Sequence, residues 1–154
     1  MRKLNIKELL LWLLVINLGI SVGAGLYESR IVIPEYFGTS PDTFVNTGLS
    51  FWIYVTTIPL TLLTIANGII AWKTQGSRRK LYIVTIVIVI IERLFTFFYF
   101  IPAMVGLMGN AEITQLEIDT ILSQWTFLNN FRHLLSIAGW LTALKTLTIQ
   151  NDKS

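Results

Sequence analysis

From Leu9 to Tyr27 the chain runs 19 residues without a charge. An α-helix rises about 1.5 Å per residue, so roughly 20 such residues cross a bilayer core of about 30 Å. Three further runs have that length: 50–72, 81–108, interrupted by Glu92-Arg93, and 125–147, which carries Arg132, His133 and Lys145. A chain that is 53% hydrophobic and 14% charged, with a mean hydropathy of +0.63, fits a multi-span membrane protein better than a soluble domain. The expected fold is all-α, an integral membrane four-helix bundle formed by one domain over residues 1–154. Basic residues ahead of the first run also describe a secretory signal, with small residues at Gly23-Ala24-Gly25. The run is longer than the roughly 7–15 residues of a signal core, which favours a span.

Charge placement predicts the orientation. Arg2, Lys3, Lys7, Lys73, Arg78, Arg79, Lys80, Lys145 and Lys153 fall on one side of a four-span arrangement, and Arg30 alone on the other. The positive-inside rule then makes both termini and the 73–80 hairpin cytoplasmic, in a plasma or inner membrane. Glu28, Glu35, Asp42, Glu112, Glu117 and Asp119 make the outer side acidic. Trp12, Trp72 and Tyr82 sit toward the inner boundary, and Trp52, Tyr54 and Trp125 toward the outer one, as in an aromatic belt. Membrane lipids are the expected surroundings. The net charge of +3 is explained by this sorting and calls for no nucleic acid. The outer connections, about 28–48 and 109–124, are the longest, with a short surface helix expected around ITQLEIDTIL.

There are no cysteines, which excludes disulfides and thiolate chemistry. A single histidine is a poor basis for a metal site, and no nucleotide loop, catalytic triad or metalloprotease motif is present, so neither metal nor cofactor is expected.

Polar residues at membrane depth turn away from lipid, and their spacing marks the inward faces. The stripes are Asn17, Ser21, Ala24, Glu28; Tyr54, Thr57, Thr61, Thr64, Gly68; Thr85, Glu92, Thr96, Tyr99, Ala103; and Trp125, Asn129, Arg132, Ser136, Gly139, Ala143. A charge there costs at least about 2.5–3.5 kcal/mol, so Glu92, Arg93 and Arg132 require partners. Glu92 lies eleven residues past Leu81 and Arg132 seven past Trp125. At roughly 17 Å and 10 Å from opposite boundaries they share a level, which predicts a Glu92–Arg132 pair with Arg93 engaged elsewhere. Arg132 can also reach Glu28. Pro59 and Pro102 free the carbonyls of Val55 and Phe98 and kink their spans. Of FTFFYF, residues 95–100, only Phe95 and Tyr99 follow the helical step from Glu92.

Three stretches, Gly-Ala-Gly-Leu-Tyr-Glu at 23–28 with Pro34, YFIP at 99–102, and W125-TFL-N129-NF-R132, carry a family resemblance. The chain resembles the small four-helix membrane proteins grouped with fungal anthrone oxygenases, in order along its whole length. That resemblance implies a four-helix bundle and oxygenation of a polycyclic anthrone to a quinone without metal or flavin. It places functional residues at Tyr27, Glu28, Pro34, Tyr99, Pro102, Trp125, Asn129 and Arg132. Some members have a histidine ahead of the arginine, where this chain has Asn129 and Asn130, with His133 after it.

The expected function is therefore a cofactor-independent oxidoreductase acting on a lipophilic aromatic or quinone-like molecule. Arg132 and Asn129 would stabilise an oxyanion, Glu28 or Glu92 would take a proton, and Tyr27, Phe95, Tyr99 and Trp125 would bind the ring. The rival expectation is a non-catalytic lipid-binding or accessory bundle whose charges lock helices together. A transporter would need a homo-oligomer, since no inverted repeat is present.

Overall fold

The computed structural model describes residues 5–39, 48–108, 110 and 112–149, and every described element is helical. Four long helices follow in order: α1 (Ile6–Tyr36), α2 (Leu49–Trp72), α3 (Gly76–Leu107) and α4 (Gln115–Thr148). Each packs on its neighbours in sequence, and α4 closes the ring against α1. Helices α1, α2 and α3 are long and apolar enough to cross a membrane. Helix α4 has 34 residues, about 51 Å of length, but its polar inner face lowers its hydropathy. Arg2, Lys3, Asp42 and Lys153 lie outside the described residues.

Three proline steps shape α1, α2 and α3. Pro34, Pro59 and Pro102 each follow an isoleucine, and each stands at the start of an α-helical stretch preceded by a π-helical turn: Glu28–Val32, Trp52–Thr57 and Thr96–Phe100. Proline has no backbone N–H and crowds the carbonyl four residues earlier. The chain relieves this by widening the preceding turn, so that Ile33, Ile58 and Ile101 bond the carbonyls of Glu28, Ile53 and Thr96, five residues back. The carbonyl of Val55, left over by Pro59, accepts the Asn17 amide of α1 at 2.8 Å. A second amide, Asn67, donates across to Leu10 O at 3.0 Å.

Several boundaries differ from those the sequence suggests. Helix α1 continues through Glu28 to Tyr36, because the π turn ahead of Pro34 accommodates the proline without breaking the helix. It stops where Phe37 turns extended and Gly38 takes φ 72°. In the hairpin only 73–75 lie between the helices, and Arg78, Arg79 and Lys80 form the first turn of α3, with Arg79 5.9 Å from the Trp72 ring centroid. ITQLEIDTIL forms no separate surface helix: from Gln115 onward it is the start of α4. Thr114 caps that helix: its hydroxyl oxygen accepts from the Glu117 N–H, and its own N–H donates to the Glu117 carboxylate at 2.8 Å. No glycine or proline interrupts α4 before Gly139.

The interior has two apolar cores. One, toward the basic end, contains Leu11, Leu14, Leu18, Leu60, Tyr82 and Val89. The other, toward the acidic end, contains Ile33, Phe100, Leu107, Ile118, Leu122 and Trp125. Between them lies a layer of buried polar side chains: Ser29, Thr56, Glu92, Thr96, Asn129, Arg132 and His133.

Two outcomes follow. Asn17→Leu should lower stability by about 0.5–2 kcal/mol, and by less when Pro59→Ala restores a donor for Val55, a coupling measured as a double-mutant cycle in detergent unfolding. The Thr114 backbone N–H and hydroxyl hold the Glu117 carboxyl below its ordinary pKa. The cap is thus fully formed above the ordinary carboxylate range and is lost as pH falls through that lowered value. Amide exchange at residues 115–118 should accelerate over that window, and Glu117→Gln should remove the pH dependence.

Candidate functional site

The three π turns meet at one place. Glu28, Trp52, Ile53, Thr57, Thr96 and Phe100 come from them and, with Arg132 and Trp125 of α4, surround a cavity of about 230 Å³. Leu49 of α2 and Ile101, Met104, Val105 and Met108 of the α3 end complete walls that are mostly apolar. The cavity occupies the space between the acidic-end halves of α2 and α3.

Arg132 is the polar centre of this cavity. Its guanidinium carbon stands 4.3 Å from the Phe100 ring centroid and 5.7 Å from that of Trp125, and the two rings are perpendicular at 5.5 Å. The residue is only 9% exposed. Among the described residues its guanidinium makes no hydrogen bond or ion pair, to Glu28 or to Glu92. Ring faces attract a cation but supply no acceptor for its N–H groups, so its donors are left without hydrogen-bond partners.

The expected Glu92–Arg132 pair is therefore replaced by another. Arg93 Nε and Nη2 bind Glu92 Oε2 and Oε1 at 2.6 and 2.8 Å, and Thr96 Oγ1 adds a bond to Oε1 at 3.2 Å. A long side chain can bend back across the quarter-turn between sequence neighbours, and the bidentate fork rewards it. Glu92 sits beneath the cavity, in a polar chamber of about 30 Å³ that it shares with Ser21, Thr56, Arg93, His133 and Ser136. Arg132 borders both spaces.

Asn129 does not reach the cavity. It is fully buried, its amide lies 3.0 Å from His133 Nε2, and Ser29 Oγ lies 3.0 Å from the same nitrogen. The histidine fits because Gly25 has no side chain: a Cβ there would come within 2.9 Å of His133 Cε1. The glycine of the GAGLYE stretch is thus explained by a close approach between α1 and α4.

The ring residues divide. Trp125 lines the cavity. Phe95 points outward, 46% exposed, and Tyr99 packs edge-on against Phe100 at 5.2 Å without lining the cavity. Phe100 takes their place. The π turn inserts an extra residue, so the inward step on α3 runs 92, 96, 100, 104 rather than through 99 and 103. Tyr27 is 61% exposed and borders a separate recess with Ala24, Val32, Tyr36 and Phe51. Glu28 and Trp52 face both spaces. Sequence spacing missed Trp52, Phe100, Met104 and Ser29. The signal available for the first three was the Ile-Pro step repeated in α1, α2 and α3.

No group of three or more histidine, aspartate or glutamate side chains able to hold a metal occurs among the described residues. No known protein family, curated protein or solved structure matches the chain.

Removing the carboxylate strands Arg93. Glu92→Leu should therefore cost about 3–5 kcal/mol in detergent unfolding, and Arg93→Leu should rescue it while Arg132→Leu should not. Gly25→Ala should cost about 1–3 kcal/mol by displacing the His133 ring.

Proposed function

We propose that the chain is a four-span membrane bundle with both termini cytoplasmic, and that its cavity takes a lipophilic aromatic or quinone-like molecule whose oxygen meets Arg132. The observation that carries this reading is the buried guanidinium that lies on two ring faces without a hydrogen-bond acceptor and faces mostly apolar walls. A neutral chain segment would fill such a cavity without satisfying Arg132, whereas a ring bearing a carbonyl or phenolic oxygen does both.

Spanning by α4 is supported by its outward face, where Phe127, Phe131, Leu134 and Leu141 are all more than half exposed. Its Asn129, Arg132, His133 and Thr146 are turned into the bundle, as lipid surroundings favour. The orientation rests on Lys7, Lys73, Arg78, Arg79, Lys80 and Lys145 at one end against Glu35, Glu112, Glu117 and Asp119 at the other.

The residues present can manage a proton. An acidic O–H or activated C–H of the ligand would give its proton to the Glu28 carboxylate, and the oxyanion formed would be held by Arg132. Glu92, engaged by Arg93 and Thr96, is the poorer acceptor. Oxidation of that anion by dioxygen is the enzymatic extension implied by the anthrone oxygenase resemblance.

The non-catalytic lipid-binding reading is favoured by one observation, the placement of the cavity between α2 and α3 with Leu49 and Val105 at exposed positions along it. An acyl chain could enter there. Native mass spectrometry of the gently purified chain separates the readings: a co-purified aromatic or quinone supports the first and lipid alone the second. Arg132→Ala should weaken an oxygen-bearing ligand by roughly 10- to 100-fold while the helices still form and insert. Unchanged retention in that variant would remove the proposal.

A further inference from the structure

The 30 Å³ chamber below Arg132 has room for about two water-sized guests. Its hydrogen-bond balance is lopsided. Most of the hydroxyls around it are spent on their own helices: Thr56 donates to Trp52 O at 2.8 Å, Thr96 to Glu92 O at 3.1 Å and Ser136 to Arg132 O at 3.0 Å. The Glu92 oxygens already accept three bonds, and His133 Nε2 is engaged by Asn129 and Ser29.

Donors remain. Ser21 Oγ is buried and makes no hydrogen bond, although the usual course for a helical serine is to donate to the carbonyl a turn earlier. Arg93 Nη1 is buried and unbonded as well, and the Arg132 guanidinium has ring faces but no hydrogen-bond acceptor among the described residues. The charges are lopsided in the same sense. Two guanidinium groups, Arg93 and Arg132, and one carboxylate, Glu92, line the chamber, and Glu92 and Glu28 attract Arg132 without hydrogen-bonding it. Buried donors without acceptors are costly, and one small anion beside two guanidinium groups would accept from them.

We infer that this chamber is a halide site, with chloride held by Ser21 Oγ, Arg93 Nη1 and the Arg132 guanidinium. A monatomic anion accepts from several directions and donates nothing, which matches a donor-rich chamber better than water does. Sulfate or phosphate would bring a second negative charge beside the Glu92 carboxylate, which lines the same chamber. Because Arg132 borders the cavity as well, the halide is also the counter-ion that a ligand oxyanion would have to share or displace. The site does not depend on what that ligand is.

The test uses the full chain in detergent, with sodium gluconate replaced by sodium chloride or bromide at constant ionic strength. The unfolding midpoint should rise saturably with either halide and stay unchanged with sulfate. Ser21→Ala should weaken the halide response by roughly tenfold or more without changing the lipophilic molecules retained in native mass spectrometry. Crystals grown in bromide should show an anomalous peak between Ser21 and Arg93. No halide response, a response unchanged in Ser21→Ala, or a chamber occupied only by water would each overturn the inference. Should Ser21→Ala fail to fold, the bromide peak in the unmutated chain decides alone.

Discussion

In an apolar medium every backbone polar group needs a partner within the protein, and the three Ile-Pro steps break that rule at one level of the bundle. The rest of the site depends on how the break is repaired. Each π turn shifts the bonding to five residues, and Asn17 takes up the carbonyl that Pro59 leaves at Val55. The wider turns alter the phase of the residues beyond them and hold α2 and α3 apart toward the acidic end. The cavity is the space this leaves, and its polar residues are those the altered phase turns inward.

The second constraint is charge. Two apolar cores enclose a layer with a glutamate, two arginines and a histidine. The pair made by Glu92 and Arg93 is local and bidentate, with Thr96 filling a further acceptor site. Arg132 is left with ring faces on one side and open space on the other. A bundle that needed these charges only to lock helices would place Arg132 against Glu92 across the α3–α4 contact. Here the sequence-local pair leaves the Arg132 guanidinium without a carboxylate hydrogen bond, and the proposed ligand site rests on that feature.

Much of the fold could be read in the sequence. The apolar lengths marked α1, α2 and α3, the small and polar stripe on α4 from Trp125 through Ala143 is the face it buries, and Asn17, Ser21 and Glu28 do look inward on α1. Helical spacing failed beyond the prolines, where it selected Tyr99 and Ala103 over Phe100 and Met104. It failed again at residue 28, since a proline that follows a π turn continues a helix instead of ending it. On α2 it selected Tyr54, which is 69% exposed, while Thr56, Leu60, Thr64 and Asn67 form the buried face.

Hydrophobicity and charge act through the number and order of residues, so the sequence by itself determined the all-helical class, the apolar lengths, the segregation of basic and acidic ends, and the presence of costly ionisable groups in the interior. Partner choice acts through distance and direction. Only the tertiary structure decided that Arg93 rather than Arg132 neutralises Glu92, that Asn129 serves His133 and not the cavity, and that Gly25 admits the imidazole. A turn widened by one residue rotates everything beyond it, and no count of residues along an ideal helix contains that rotation.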